Sequence, residues 1–219
     1  MGGYGALVLA LKHPDVYSVT YALTPSPVDL AAPQEGPYTS PQAFAATLQL
    51  LSAGLVPTSG IAANIVGLAA AITPNLDNPP TYIDLPYQLI DGQPKRIDAL
   101  WEQWINHDPM GMLDRYGINL LLYRGVGFDV GLRDNDRDNL TGARALDRAL
   151  TLAHIPHQYE EYDGDHISKI PERMGTVVLP FVSAHLNPPR RAPDAPRTRR
   201  GSNACTNTAS TTRSAVRRI

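Results

Sequence analysis

Short runs of β-forming residues alternate with helix-length apolar stripes in this chain, and that alternation restricts its fold more than any other feature. Tyr17–Leu23 is β-branched and aromatic and stops at Thr24-Pro25-Ser26-Pro27. Leu120–Val130 is an apolar β run broken at Arg124-Gly125, and His157–Tyr162 is a short strand. Helical patterns separate them: Gly2–Leu11, closed by Lys12-His13-Pro14, then Thr141–Ala153 with Ala145, Leu146, Ala149, Leu150 and Leu152 as its apolar set. A last helix, Ile167–Leu186, contains Pro180 as a kink or division point. Strands joined through helices of about a dozen residues imply parallel pairing with crossover connections. The expected class is α/β, with about three parallel strands. So thin a sheet leaves an open edge, a surface through which copies of the chain could associate.

The rhythm breaks between residues 28 and 115. Residues 28–40 read as a loop; Pro41 to about Ile72 is helical, with Phe44, Leu48, Leu51 and Leu55 in one stripe and Ile61, Ile65 and Leu68 in another. Thr73–Pro94 is turn-rich, and Ile97–Ile105 is a helix whose Trp101 and Trp104 fit core or lid packing. Such a stretch reads as a helical cap inserted into the alternating frame. The organisation is therefore an opening helix and strand over 1–27, the cap over 28–115, the rest of the core over 116–187, and a disordered tail over 188–219.

The tail is rich in Arg, Pro and Thr without periodicity, a composition that buries no core. Of the 19 basic and 21 acidic residues, eight arginines and one aspartate lie in 190–219, leaving 11 basic against 20 acidic in 1–189. An acidic body is not a nucleic-acid surface. The single cysteine, Cys205, excludes an internal disulfide and a thiolate metal site. The most apolar run, Ile61–Ile72, is too short to span a bilayer. Neither a metal nor another cofactor is expected: His13 sits at a helix end, His107-Asp108-Pro109 reads as a turn, His154 and His157 flank Pro156, and His185 reads as an exposed helix residue.

Chemistry concentrates at three places. Met1-Gly2-Gly3-Tyr4-Gly5-Ala6-Leu7 reads as the second half of a nucleophile elbow of the form G-x-S-x-G, where small residues flank a tight strand-to-helix turn. On that reading Met1 is an internal residue and the nucleophile is the residue before it; no complete elbow occurs inside the chain. In Phe128-Asp129-Val130-Gly131-Leu132-Arg133-Asp134, a glycine ends a strand and Asp134 follows on the loop, at the sheet edge where open α/β proteins build their sites. Asp129 is the rival carboxylate, inside the strand and turned toward a helix layer, while Asp136 and Asp138 read as turn or N-cap residues. His166 follows the last strand in Asp163-Gly164-Asp165-His166, with Asp165 shaping the loop. A nucleophile, then an acid, then a histidine is the hydrolase chain order.

These segments resemble the α/β-hydrolase esterases of the putative-esterase (esterase D-like) group, whose elbow G-H-S-M-G-G-Y-G-A ends as this chain begins. Phe128–Asp134 is similar to its acid-bearing strand end, and Ile155–His166 to its final strand and histidine. The resemblance covers about residues 1–187 and implies the C-terminal part of an α/β-hydrolase fold with a helical cap. It implies Asp134 and His166 as catalytic acid and base of a serine triad, and Met1 as an oxyanion-hole position. The implied partner is a small-molecule ester. An acyltransferase of the same fold, or a non-catalytic pseudo-hydrolase, are the alternatives. The triad serine is absent from the chain, so the isolated chain is expected to be inactive.

Overall fold

The computed structural model describes residues 1–26, 29–30, 40–134 and 137–186, with Arg137 and Asp138 described by their backbone alone. The expected tail over 188–219, Asp136 and most of the 28–40 loop lie outside the described residues.

Helix α1, Gly2–Lys12, ends at His13, whose N–H reaches Leu9 O, and Pro14 follows. Strand β1, Val19–Leu23, comes next. The chain returns to this sheet much later with a seven-residue strand, Gly125–Gly131, and a final one, Gln158–Tyr162; two strands of a separate hairpin precede them, so these are β4 and β5. β4 lies centrally, parallel to β1 on one side (Leu23 opposite Asp129) and to β5 on the other (Gly131 opposite Tyr162). Helix α6, Arg137–Leu152, is the crossover between β4 and β5. Among the described residues, β1 pairs with β4 alone, which leaves its outer edge without a strand.

The period of two along β4 sorts its residues between two different neighbours. Val126, Phe128 and Val130 are buried against Leu7, Ala10 and Leu11 of α1 and Ala143, Leu146 and Leu150 of α6. Gly125, Gly127, Asp129 and Gly131 face the other way. A Cβ on Gly125 would lie 2.7 Å from the His185 ring, and one on Gly127 2.5 Å from the Tyr21 ring. The glycines thus let the closing helical run lie directly on the strand. That run comprises α7, Ile170–Arg173, a π-helical segment over Met174–Val178, and α8, Leu179–Leu186. The π segment stands immediately before Pro180, where the kink or division was expected. His185 is not the exposed residue the sequence suggested: its ring packs on Phe181 at 4.2 Å and against β4.

The intervening segment builds its own core. α2, Pro41–Ser52, starts on Ser40, whose hydroxyl accepts from Ala43 N at 3.1 Å, with Pro41 at the first helical position. α3, Gly60–Ile72, and α4, Asp98–Ile105, complete it. Phe44, Ile65, Ala69 and Trp104 are fully enclosed, Phe44 stacks on Tyr87 at 4.7 Å, and Trp104 Nε1 donates to Thr73 Oγ1 at 3.2 Å. The tryptophans are therefore packing residues.

Four local expectations are corrected. Inside the stretch read as turns lies a hairpin, β2 (Tyr87–Ile90) with β3 (Gln93–Arg96), closed by Asp91-Gly92, both with positive φ. Asp-Gly is a strong two-residue hairpin signal, masked here by Pro94 and two cations in the second strand. His107-Asp108-Pro109 does not merely turn: Asp108 caps α5, Pro109–Tyr116, whose Met112 joins the sheet's core. The apolar run from Leu120 divides, with a 3-10 turn over Gly117–Leu122 before β4 begins. α6 also starts at Arg137, four residues ahead of the expected Thr141, so Asp138 lies within its first turn, not before it.

Candidate active site

The C-terminal ends of β4 and β5 are laced together by main-chain bonds. Leu132 N donates to Tyr162 O and Arg133 N to Gly164 O, each at 2.9 Å, and Asp134 N closes back on Gly131 O at 3.1 Å. Gly131 permits this approach, since a Cβ there would collide with the carbonyl oxygens of Gly164 and Asp165. The lacing brings Asp134 and His166 face to face: His166 Nδ1 lies 2.9 Å from Asp134 Oδ2. The carboxylate is almost fully enclosed, its side chain 1% exposed, while the imidazole is 38% exposed. Asn139, in the first turn of α6, directs Nδ2 at Asp134 Oδ1 from 3.0 Å.

Asp165 shapes the histidine loop. Its Oδ1 accepts from Ile167 N at 2.9 Å and Ser168 N at 2.7 Å, and those bonds hold its carboxyl below the usual carboxylate range. Tyr162 OH donates to Asp165 O at 3.3 Å and lies 3.2 Å from Thr24 Oγ1, tying the loop to the end of β1. A carboxylate can only accept, so the imidazole proton sits on Nδ1 and Nε2 is left with its lone pair. That arrangement is suited to taking a proton from a nucleophile.

Asp129, the rival, has a different partner set. It is fully buried; Arg173 Nε lies 2.5 Å from its Oδ2, Tyr21 OH donates to the same oxygen at 3.2 Å, and Thr24 N reaches Oδ1 at 3.4 Å. Arg173 also binds Glu160 of β5 at 2.8 Å and sits 4.4 Å above the Tyr162 ring. Burial pushes the Asp129 carboxyl above its ordinary value against the pull of Arg173, and burial also raises Tyr21. These groups join β1, β4, β5 and α7 and leave no oxygen of Asp129 for a substrate. Arg173 has no sequence motif; its signal was a strand-interior aspartate, which requires a cation.

The start of α1 lies at the same sheet edge. Gly3 abuts the end of β1, where a Cβ would lie 2.8 Å from Pro25 Cα. Met1 is the exposed N-cap, its carbonyl accepting from Gly5 N at 2.9 Å. Nearby, Tyr4 OH donates to His107 O at 2.6 Å. Asp108 is fully buried, accepts from Gly111 N through Oδ2 at 3.3 Å, has the backbone N–H of Leu30 beside its carboxyl, and keeps Oδ1 without a close hydrogen-bond partner among the described residues. Burial pushes its carboxyl well above the usual range. In the segment between β1 and β4, Leu48, Leu51, Ile83, Leu85 and Leu89 line an open groove of about 470 Å³ to which neither the Asp134 nor the His166 loop contributes. Among the described residues no three His, Cys, Asp or Glu are grouped to hold a metal, and no helix is long and apolar enough to cross a membrane.

The family model of the putative esterases matches residues 1–169. The chain belongs to the putative esterase family. Membership supports a hydrolase of the esterase type and fits small-molecule substrates, and the matched segment spans both Asp134 and His166. No curated protein matches this esterase. Its three parallel strands and their crossover helices form part of an α/β-hydrolase-like fold.

Proposed function

We propose that the chain carries the acid and base of a serine carboxylic-ester hydrolase, with the nucleophile supplied by the residue directly upstream of Met1. The observation that carries this reading is the bond of 2.9 Å between His166 Nδ1 and Asp134 Oδ2, which leaves Nε2 free at the C-terminal sheet edge. His166 Nε2 takes the proton of the serine hydroxyl as its oxygen attacks the ester carbonyl, and later returns it to the leaving alcohol. Asp134 stabilises the imidazolium formed in between. With a residue before it, Met1 presents a peptide N–H at the positive end of α1, where a developing oxyanion is stabilised. As a free terminus it offers an ammonium instead.

Two features support an upstream strand. The outer edge of β1 carries no strand among the described residues, and a groove of about 260 Å³ runs beside it, lined by Ala6, Leu9 and Ala10 of α1 with Val19 and Tyr21 of β1. A strand entering α1 at Gly2 would fill that edge; without one, two copies could pair there. Residues 28–115 are the cap on this reading, with the groove beside Leu48 and Leu51 as apolar substrate-side surface.

The test is hydrolysis of a p-nitrophenyl ester by the 219-residue chain and by an upstream-extended reading frame. The chain alone is expected at background, because triad members act as a unit. The extended protein is expected to turn over and to lose activity on His166→Ala. Turnover by the short chain that His166→Ala abolishes would place the nucleophile inside it and sink the proposal.

A further inference from the structure

We infer that Asn139 is the positioning residue of the Asp134–His166 pair, and that its amide reinforces the Nδ1-protonated form of His166 while the carboxylate is present and favours the other form when it is not. The inference rests on the acid–base reading above. Asn139 is buried in the first turn of α6, on an element separate from both loops. Its Nδ2 stands 3.0 Å from Asp134 Oδ1 and 3.3 Å from His166 Nδ1, while Asp134 Oδ2 stands 2.9 Å from the same ring nitrogen. Because Asp134 accepts only, the NH2 end of the amide must face it.

Nδ1 has one in-plane position for a hydrogen bond, so its two neighbours compete for it. If Nδ1 carries the proton, it donates to the carboxylate, and Asn139 donates to the other carboxylate oxygen. If Nε2 carries it, the Nδ1 lone pair accepts from Asn139. The first bond is charge-assisted and shorter, the second neutral and longer, so the Nδ1–H form wins. Asn139 strengthens that outcome by fixing the carboxylate rotamer through Oδ1, keeping Oδ2 in the ring plane. It also has the opposite capacity: without the carboxylate, the same amide is placed to take Nδ1 and trap the ring with Nε2 protonated, the form that cannot act as base. A deletion of the acid therefore removes a stabilising charge and leaves behind a competitor that holds the wrong tautomer.

The experiment is a two-bond ¹⁵N–¹H correlation spectrum of the histidine rings in the 219-residue chain, above the histidine titration range. His166 is assigned by loss of its signals in His166→Gln. The wild type is expected to show an N–H-type Nδ1 and a lone-pair-type Nε2. Asp134→Ala should invert the two, and Asp134→Ala with Asn139→Ala should relax the inversion to a fast-exchanging mixture. Asn139→Ala alone should move the wild-type spectrum from one dominant form to a mixture, with Asn139→Ser, which keeps a short donor, in between. If Asn139→Ala does not fold, the serine variant and the inversion in Asp134→Ala still decide. If Asp134→Ala leaves the wild-type tautomer in place, the acid–base pairing is wrong and the proposed function fails with it. If Asp134→Ala changes the tautomer but neither Asn139 variant alters either spectrum, Asn139 is only a helix residue and this inference alone is overturned.

Discussion

Asp129 and Asp134 leave the same strand five residues apart and meet opposite fates. Asp129 points to the glycine face of β4, where Arg173, Tyr21 and Thr24 N occupy its oxygens away from water. Asp134 lies beyond the strand's end and meets a histidine that is partly exposed. Both are buried carboxylates with a cation or potential cation alongside. What separates a fastener from a reactive group here is whether the partner keeps an unsatisfied atom facing solvent. Arg173 is saturated by Asp129 and Glu160; His166 retains Nε2.

That contrast can be broken by mutation. The largest effect is expected for Arg173→Ala, which leaves Asp129 as an uncompensated buried charge and should lower the unfolding free energy read from urea denaturation by about 3–5 kcal/mol; Asp129→Ala should cost less, because Glu160 still pairs with Arg173. Replacing both residues together should recover part of the loss; a double variant as unstable as the sum of the singles would show that they do not act as a pair.

Asp108 sharpens the comparison, being buried with no cation beside it. Its folded pKa is raised above the unfolded value near 4, so its contribution is complete below that value and is lost as pH rises through the folded pKa. Asp108→Asn keeps the cap and removes the titration. It is expected to be more stable than the wild type at neutral pH, by about 1–3 kcal/mol, with the gain vanishing near pH 4. Urea midpoints across that range read this directly, and a pH-independent difference would contradict it.

Asp134→Ala should cost only about 1 kcal/mol, the scale of the hydrogen bonds it removes, while abolishing turnover in the extended protein. Stability losses equal to those of Asp129→Ala would erase the distinction drawn above. Smallest of all, Arg133→Ala breaks an exposed ion pair with Asp163 and should change the unfolding free energy read from urea denaturation by no more than about 0.5 kcal/mol.

How far the sequence carried differs between the parts of the site. The strands were legible because β-branched runs end at Gly, Pro or Ser. Asp134 and His166 were legible because each follows a strand end by a few residues. Asn139 was not, since its place depends on α6 starting at Arg137, ahead of the apolar residues that announce the helix. Arg173 was hidden by distance, lying 44 residues from the carboxylate it neutralises. The glycine face of β4 was written in Gly125-x-Gly127-x-Asp129-x-Gly131, yet an apolar reading of Leu120–Val130 merged it with the 3-10 turn before it. Between β1 and β4, propensity missed the hairpin because Asp91-Gly92 fixes a turn between residues of poor β character.

The ion pair of Arg173 with Asp129 bears on where this unit may be cut. The family model ends at residue 169, four residues ahead of that arginine. A fragment trimmed to the family boundary would keep Asp134 and His166, yet it would leave the buried Asp129 of its central strand without the arginine that neutralises it. For this chain the recognisable segment stops short of a group its sheet depends on, and the helix beyond the match belongs in any piece cut from it.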